Sequence, residues 1–287
     1  MKIIIFTDLD GTLLDYSTYS FKAALPALQL IKKKNIPLII CSSKTRKEIE
    51  YYRKKLANNH PFISENGGGI FIPKNYFKFK IHSPEFIVND ENDYYAIKFG
   101  ALYPDLRKTI ERLRKEGFKV KGFGDMTVKE IMELASLSAD EAEMAKERDF
   151  DEPFILEGNE AETQRLLSAI KARGFNCTQG RFFHIIGNTD KGKAVELLKE
   201  LYRKEFNEIT TIALGDSSND IPMFAAVDYP IVVQKPGGGY DQKIDLPGLI
   251  KASGIGPEGW NNAIIKLIQN QNLLAPESLS TKKSSIG

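Results

Sequence analysis

The stretch Ile3-Ile4-Ile5-Phe6-Thr7-Asp8-Leu9-Asp10-Gly11-Thr12-Leu13-Leu14 decides the fold. Its apolar half reads as a buried strand over residues 3–7, and its polar half marks where the chain leaves the core. Asp8 and Asp10 then stand at the carboxyl end of a first strand, the edge at which open α/β sheets place their ligands. Two carboxylates one residue apart repel unless a shared proton or a cation relieves them. Mg²⁺, which takes oxygen ligands, is such a cation.

Outward from this stretch the pattern continues as alternating strand and helix. Residues 21–34 read as a helix with Ala24, Leu25, Leu28 and Ile31 on one face and Lys32-Lys33-Lys34 as a solvated end, suited to the helix dipole. Residues 36–41 form a second buried strand followed by Ser42-Ser43-Lys44-Thr45, and Thr45 with Glu48 makes a capping box. Phe62-Ile63-Ser64 is a short strand. Gly67-Gly68-Gly69 reads as a flexible turn ahead of a hairpin over residues 70–79, with Asn66 near the site. This alternation predicts a Rossmann-like, doubly wound parallel sheet.

The middle of the chain reads differently. Strands at 94–99, 118–123, 154–157 and 182–186 are interleaved with helices at 104–116, after Thr127 and Ser138, and from Asn159 to Gly174. That order predicts an inserted α+β cap over residues 86–186, with the core built from 1–85 and 187–271. The first pattern resumes with a helix capped by Thr189, a strand over 209–214 running into Gly215-Asp216-Ser217-Ser218-Asn219-Asp220, a short strand over 229–233 and a last helix over 260–269. Residues 272–287, rich in Ser, Lys and Asn, are expected to be disordered.

Composition sets outer limits. The 287 residues suit two domains, with 42% hydrophobic and 27% charged residues. A net charge of +2 gives no general bias toward nucleic acid. Cys41 and Cys177 are too few and too far apart for a disulfide framework, and Cys41 reads as an apolar filler. Residues 1–14 lack a signal-peptide cleavage site, and no apolar stretch reaches membrane-spanning length. The expectation is a soluble, cytoplasmic protein without membrane or nucleic-acid partners; the oligomeric state is open.

Asp8 with Asp10, Ser42, Lys191, and Asp216 with Asp220 each lie at a strand end or a helix start. Doubly wound topology can bring all four to one sheet edge. Such a group could run phosphoryl transfer. A carboxylate can attack phosphorus, Mg²⁺ can cancel the repulsion between nucleophile and phosphate, and a hydroxyl and a lysine can hold the remaining oxygens. A second carboxylate can protonate the leaving alkoxide and later deprotonate water.

In order, these residues resemble the four motifs of the haloacid dehalogenase superfamily of phosphatases. The likeness implies that Asp8 is the nucleophile and Asp10 the general acid and base. It implies Mg²⁺ held by Asp8, Asp216 and the Asp10 backbone carbonyl with help from Asp220, and phosphate held by Ser42 and Lys191. Ser42 to Thr45, Glu65-Asn66-Gly67, Asp151 to Phe154, Gly180 to His184, Gly215 to Met223 and Gly256 to Asn261 resemble the mannosyl-3-phosphoglycerate phosphatase family more closely. Lys44 stands where many sugar phosphatases of the superfamily carry arginine, and Gln179 departs from that family's paired glycines.

A phosphoglycerate substrate carries a carboxylate besides its phosphate. Ser43, Lys44 and Asn66 are expected on the substrate from the core side. From the cap, Arg148 and Arg181 are candidates to grip the carboxylate, since a guanidinium offers two parallel hydrogen bonds. His184 could donate to the same group and Glu152 could accept from sugar hydroxyls. The competing readings are a surface position for Arg148 and an ordinary strand histidine for His184; Trp260 reads as core packing. The resemblance implies conversion of mannosyl-3-phosphoglycerate to mannosylglycerate, a compatible solute. The rivals are phosphatases of glucosyl-3-phosphoglycerate or a sucrose-phosphate-like compound, a phosphotransferase or mutase using the same aspartyl-phosphate, and a non-catalytic binding protein.

Overall fold

The computed structural model describes residues 2–81 and 86–270, so the expected tail at 272–287 lies outside the described residues. In chain order the elements are β1 (Lys2–Thr7), α1 (Leu25–Lys33), β2 (Leu38–Cys41), α2 (Arg46–Leu56), β3 (Phe62–Ser64), β4 (Gly69–Pro73), β5 (Val88–Glu91) and β6 (Tyr94–Lys98). There follow α3 (Tyr103–Lys115), β7 (Val120–Gly122), α4 (Val128–Ala135), α5 (Ala139–Lys146), β8 (Asp151–Leu156), α6 (Glu160–Ala172), β9 (Asn176–Gln179) and β10 (Phe183–Ile186). The chain closes with α7 (Lys191–Phe206), β11 (Ile209–Gly215), α8 (Ile221–Ala225), β12 (Tyr229–Gln234), β13 (Ile250–Ile255) and α9 (Pro257–Gln269). None of these helices is long and apolar enough to cross a membrane.

The large sheet has the order β13-β12-β11-β1-β2-β3-β4-β6-β5, parallel from β13 through β3 and antiparallel beyond. β1 is the hinge of the register: Thr7 pairs with Leu214 on one side and Ile40 on the other. The residues after those three, Asp8, Gly215 and Cys41-Ser42, therefore leave the sheet along one edge. Alternation along β1 sends Ile5 into one apolar layer with α1, α9 and Trp260, and Ile4 and Phe6 into the other with α7 and α8. Both faces are covered, which is why Ile3 to Phe6 of β1 are apolar without interruption. Trp260 is fully buried and its indole N–H donates to Thr7 Oγ1 at 3.0 Å, fixing α9 beneath the site edge.

Several details differ from the sequence reading. Residues 70–79 do not form a hairpin: β4 pairs with β3 and with β6, and β5 with β6. Thus Tyr94–Lys98, expected in the inserted unit, extends the large sheet past the boundary expected at 86. Asp190, not Thr189, caps α7, its side chain accepting from the Lys193 N–H. Thr189 instead donates to the Gly67 carbonyl at 2.9 Å.

The second sheet, β7-β8-β10-β9, is antiparallel. α3 and α6 pack on one face through Leu106, Ile110, Leu166 and Ile170. α4 and α5 surround Phe123 and Met126, with Phe182 packed against them. The capping boxes at Thr45, Thr127, Ser138 and Asn159 all form as the spacing predicts.

Candidate active site

The sheet edge carries a cavity of about 430 Å³ between the two sheets. Asp8, at the end of β1, is buried and accepts from Lys191 Nζ at 2.8 Å. The same ammonium donates to Asp220 at 2.7 Å. Burial works against the Lys191 charge, but Asp220 and Asp8 outweigh it and hold its pKa above the ordinary value. Lys191 is placed there because it opens α7, whose start is packed on the Glu65–Gly67 turn.

Asp216 follows β11 and faces the cavity. Its loop is shaped by Asp220, whose carboxylate accepts from the N–H groups of Asp216 (3.0 Å) and Ser217 (3.2 Å). Asp8, Asp216 and Asp220 offer oxygens that lie within 4.8 Å of one another, all buried. Burial, with Asp220 and Asp8 adding repulsion, drives the Asp216 carboxyl well above its usual range; burial also raises Asp220, to about 6. One lysine does not neutralise three acids. This oxygen-only donor set fits a hard divalent cation such as Mg²⁺.

Asp10 stands at the cavity with about a third of its side chain open (36%), yet Oδ1 is buried without a hydrogen-bond partner. Burial in the surrounding protein raises its pKa, against the pull of Lys44. Lys44 Nζ lies 3.1 Å from Asp10 Oδ2 and 3.0 Å from Glu48 Oε1, and it sits over the Tyr19 ring at 5.1 Å. Ser42 is buried, its Oγ accepting from the Lys44 N–H, and Ser43 lines the cavity.

The Glu65–Gly67 turn is closely packed, not an open loop. Glu65, Asn66 and Gly67 have φ of +48°, +54° and +92°, and Gly68 and Gly69 lie against the Phe150 ring with no room for a Cβ. Only glycine suits such close approach. The Glu65 carboxylate accepts from the Asp149 and Phe150 N–H groups, tying this turn to the second sheet. Burial pushes its carboxyl up to about 8.

From the second sheet, Arg148, Arg181 and His184 all reach the cavity. Arg148 is buried, not a surface residue. It donates to the carbonyls of Ala145 (2.9 Å) and Ser43 (2.8 Å). Arg181 donates through Nη1 and Nη2 to the Ala135 and Leu134 carbonyls at the end of α4, and to Tyr19 Oη. His184 is buried with Nδ1 at 2.8 Å from Asp151.

Glu152 does not take the expected place. Successive side chains on a strand face opposite ways. Asp151 and Pro153 turn toward the cavity side, where Pro153 pairs with His184. Glu152 turns to α3 and is fully buried under Arg107 (2.6 Å), Tyr103 (2.8 Å) and the Gly124 N–H (3.0 Å). Sequence reasoning also missed Tyr16, Tyr19 and Lys235 on the wall. Tyr16 and Tyr19 sit in a loop without periodicity, and Lys235 is one of 40 basic residues.

Residues 5–235 match the family model of haloacid dehalogenase-like hydrolases. The chain is 52% identical over 274 residues to a glucosyl-3-phosphoglycerate/mannosyl-3-phosphoglycerate phosphatase of Methanococcoides burtonii, covering 95% of this chain and 99% of that one. It is 38% identical over 231 residues to a mannosyl-3-phosphoglycerate phosphatase of Pyrococcus furiosus, covering 80% and 90%. A crystal structure from Thermoplasma acidophilum shares the fold at a TM-score of 0.66 and 20% identity, covering 93% of this chain and 99% of that one. With its acids, lysine and serine ordered along one sheet edge, this chain is a phosphatase of the haloacid dehalogenase-like hydrolase family, in the branch of the mannosyl-3-phosphoglycerate phosphatases.

Proposed function

We propose that the chain hydrolyses the phosphate monoester of a glycosyl-3-phosphoglycerate, mannosyl first and glucosyl second, to the glycosylglycerate and phosphate. The observation that carries this reading is the division of charge around the cavity. The wall given by the large sheet and its loops holds Asp8, Asp10, Glu48 and Asp216 together with Lys44 and Lys235, an acid-rich wall that takes a phosphate only with a divalent cation between them. The wall given by the inserted unit holds Arg148, Arg181 and His184 and, among the described residues, no carboxylate. A substrate with a phosphate at one end and a carboxylate further along suits that division. A simple hexose phosphate has no anion for the second wall. The names of the relatives from M. burtonii and P. furiosus support the same choice.

In this mechanism Asp8 attacks phosphorus in line with the ester oxygen, and the P–O bond to the glycerate breaks. Asp10, whose carboxyl borders the cavity, gives its proton to the departing alkoxide, a role served by its raised pKa. Asp10, now a carboxylate, takes a proton from water as that water attacks the aspartyl-phosphate. Phosphate leaves and Asp8 is restored. Lys191 holds Asp8 in one orientation throughout, and Ser42 and Ser43 offer hydroxyls to the phosphoryl oxygens. Mg²⁺ held by Asp8, Asp216 and the Asp10 backbone carbonyl, with Asp220 assisting, would neutralise charge on the phosphoryl group. The inserted unit acts as a cap that excludes bulk water.

Phosphate release from mannosyl-3-phosphoglycerate, glucosyl-3-phosphoglycerate and hexose phosphates, with Mg²⁺, tests the reading. The expected result is a large preference for the two phosphoglycerates that Arg181→Ala reduces. Equal rates on all substrates would remove the proposed substrate, and transfer to a sugar without phosphate release would replace hydrolysis by a phosphotransferase reaction.

A further inference from the structure

Four buried side chains form a continuous line across the junction of the two sheets. Asn219 Nδ2 donates to Asn66 Oδ1 at 3.2 Å, Asn66 Nδ2 donates to Asp151 Oδ2 at 2.7 Å, and Asp151 Oδ1 lies 2.8 Å from His184 Nδ1. All four are buried. The line begins beside Asp216 on the large sheet and ends on β10, and both Asn219 and His184 line the cavity.

Its direction follows from donor chemistry. Asn66 uses its amide oxygen on Asn219, so its NH₂ group faces Asp151, which accepts. A carboxylate has no proton to return, so the His184 ring carries its proton on Nδ1 and donates to Asp151. Nε2 is then the ring nitrogen left for a ligand, and it donates to an anion only when the ring carries a proton on both nitrogens, Nδ1–H on Asp151 and Nε2–H on the anion. The aim of Asn66 is set by its backbone: a left-handed φ of +54° in a non-glycine residue persists only where its surroundings hold it. Here the Asn66 N–H donates to the Ser42 carbonyl and the Glu65 N–H to the Lys44 carbonyl.

We propose that Asp151 and Asn66 are positioning residues that lock the His184 ring with Nε2 on the substrate's glycerate carboxylate. The inference rests on the phosphoglycerate reading above. Asn66 belongs to the large sheet's side of the junction and Asp151 to the inserted unit, so the ring is locked only when the two are seated together. Arg148 and Arg181 line the same cavity, and although Asp151 (3.8 Å) and Glu48 (3.9 Å) offset part of the Arg148 charge, the two guanidinium groups favour an anion over a sugar hydroxyl at Nε2.

The test compares kcat/KM for mannosyl-3-phosphoglycerate with that for p-nitrophenyl phosphate, which has a phosphate but no carboxylate. Wild type, Asp151→Asn, His184→Asn and the double variant are measured. In Asp151→Asn the ratio of the two values should fall about tenfold or more, mainly through KM of the phosphoglycerate, as loss of a charge-assisted contact implies. Because Asp151 acts through His184, the double variant should be no worse than His184→Asn alone. Additive losses, or equal falls on both substrates, would overturn the proposal. A wild-type enzyme indifferent to the carboxylate would overturn the phosphoglycerate reading and this proposal with it, before any variant is compared. Should Asp151→Asn not fold, Asn66→Gly keeps the left-handed backbone and removes the donor to Asp151. An unchanged ratio there would equally overturn the proposal.

Discussion

Replacing Gly67 by alanine should disable the site without touching a catalytic group. A Cβ at Gly67 would stand 2.1 Å from the Asp190 carbonyl oxygen and 2.5 Å from its carbon. Ordinary contact begins near 3.4 Å, so the Asp190 backbone would have to retreat by about 1.3 Å. Asp190 caps α7, and the next residue is Lys191, which holds Asp8 and Asp220. The left-handed φ of +92° adds about 1–2 kcal/mol of strain for any side chain, and overpacking adds about 1–3 kcal/mol. The loss of about 2–5 kcal/mol corresponds to a fall in Tm of roughly 5–15 °C for a chain of this size. A shift of about 1 Å at a positioned group costs about a hundredfold in rate. Gly117→Ala is the control, because Gly117 has nearly the same φ, +93°, but nothing within 4 Å. Calorimetry and phosphate release on both variants separate strain from collision. Gly117→Ala should lose about 1–2 kcal/mol and keep its kcat, while Gly67→Ala loses more stability and most of its turnover. Equal effects in the two variants would refute the close approach of Gly67 to α7.

Glu152→Gln should destabilise the inserted unit by about 1–3 kcal/mol, since it takes the fully buried one of two carboxylate partners from Arg107, which keeps Asp125, while KM for substrate stays near wild type; a KM rise at unchanged Tm would return Glu152 to the cavity. Glu65 predicts a pH effect of defined sign. Its folded-state pKa is raised, to about 8, so its protonated form contributes stability that is fully present below pH 4.5 and lost as pH rises through about 8. Wild-type stability should therefore fall relative to Glu65→Gln by up to about 1.4 kcal/mol per pH unit across that window, and parallel stability–pH curves for the two proteins would contradict it. Mg²⁺ at about a hundredfold excess over its Kd should stabilise the fold by about 2.7 kcal/mol, and Asp216→Asn should shrink the rise in Tm; equal rises in both would place the metal elsewhere.

The core of the site was legible because it depends on local sequence alone. Residues 3–6 are apolar without a break, so β1 is buried on both faces and Asp8 falls at its end. Ile209 to Leu214 holds no charge, and Asp216 falls at the same edge through the pairing of Thr7 with Leu214. Capping boxes are equally local, a hydroxyl or amide and a glutamate three residues apart, and all four formed. What failed was set by distant partners. β4 reads as half of a hairpin until the pairing with Tyr94–Lys98 is known. Ile250–Ile255 holds Lys, Ser and Gly and becomes a strand by pairing with β12 and packing under α9. Thr189 and Asp190 are both good caps by type, and the choice falls to Asp190 because the Thr189 hydroxyl is engaged by the Gly67 carbonyl, 122 positions away in the chain.

The same division separates the two ends of the substrate. Chemistry at phosphorus uses residues that strand ends deliver, so a parallel register is enough to assemble them. Reading the remainder of the substrate uses residues whose facing is decided by parity along β8 and β10. There a one-residue difference exchanges Asp151, in the cavity-side network, for Glu152, locked under α3. The motif Asp151-Glu152-Pro153-Phe154 contains both acids, and composition favours neither. The pairing of Pro153 with His184 settles it, since paired residues share a face and His184 lines the cavity. On the proposed function, which of these side chains faces the substrate depends on the register of an antiparallel pair rather than on which charged residues are present. A shift of β10 by one residue against β8 would turn His184 away from the cavity while leaving Asp8, Lys191 and Asp216 in place.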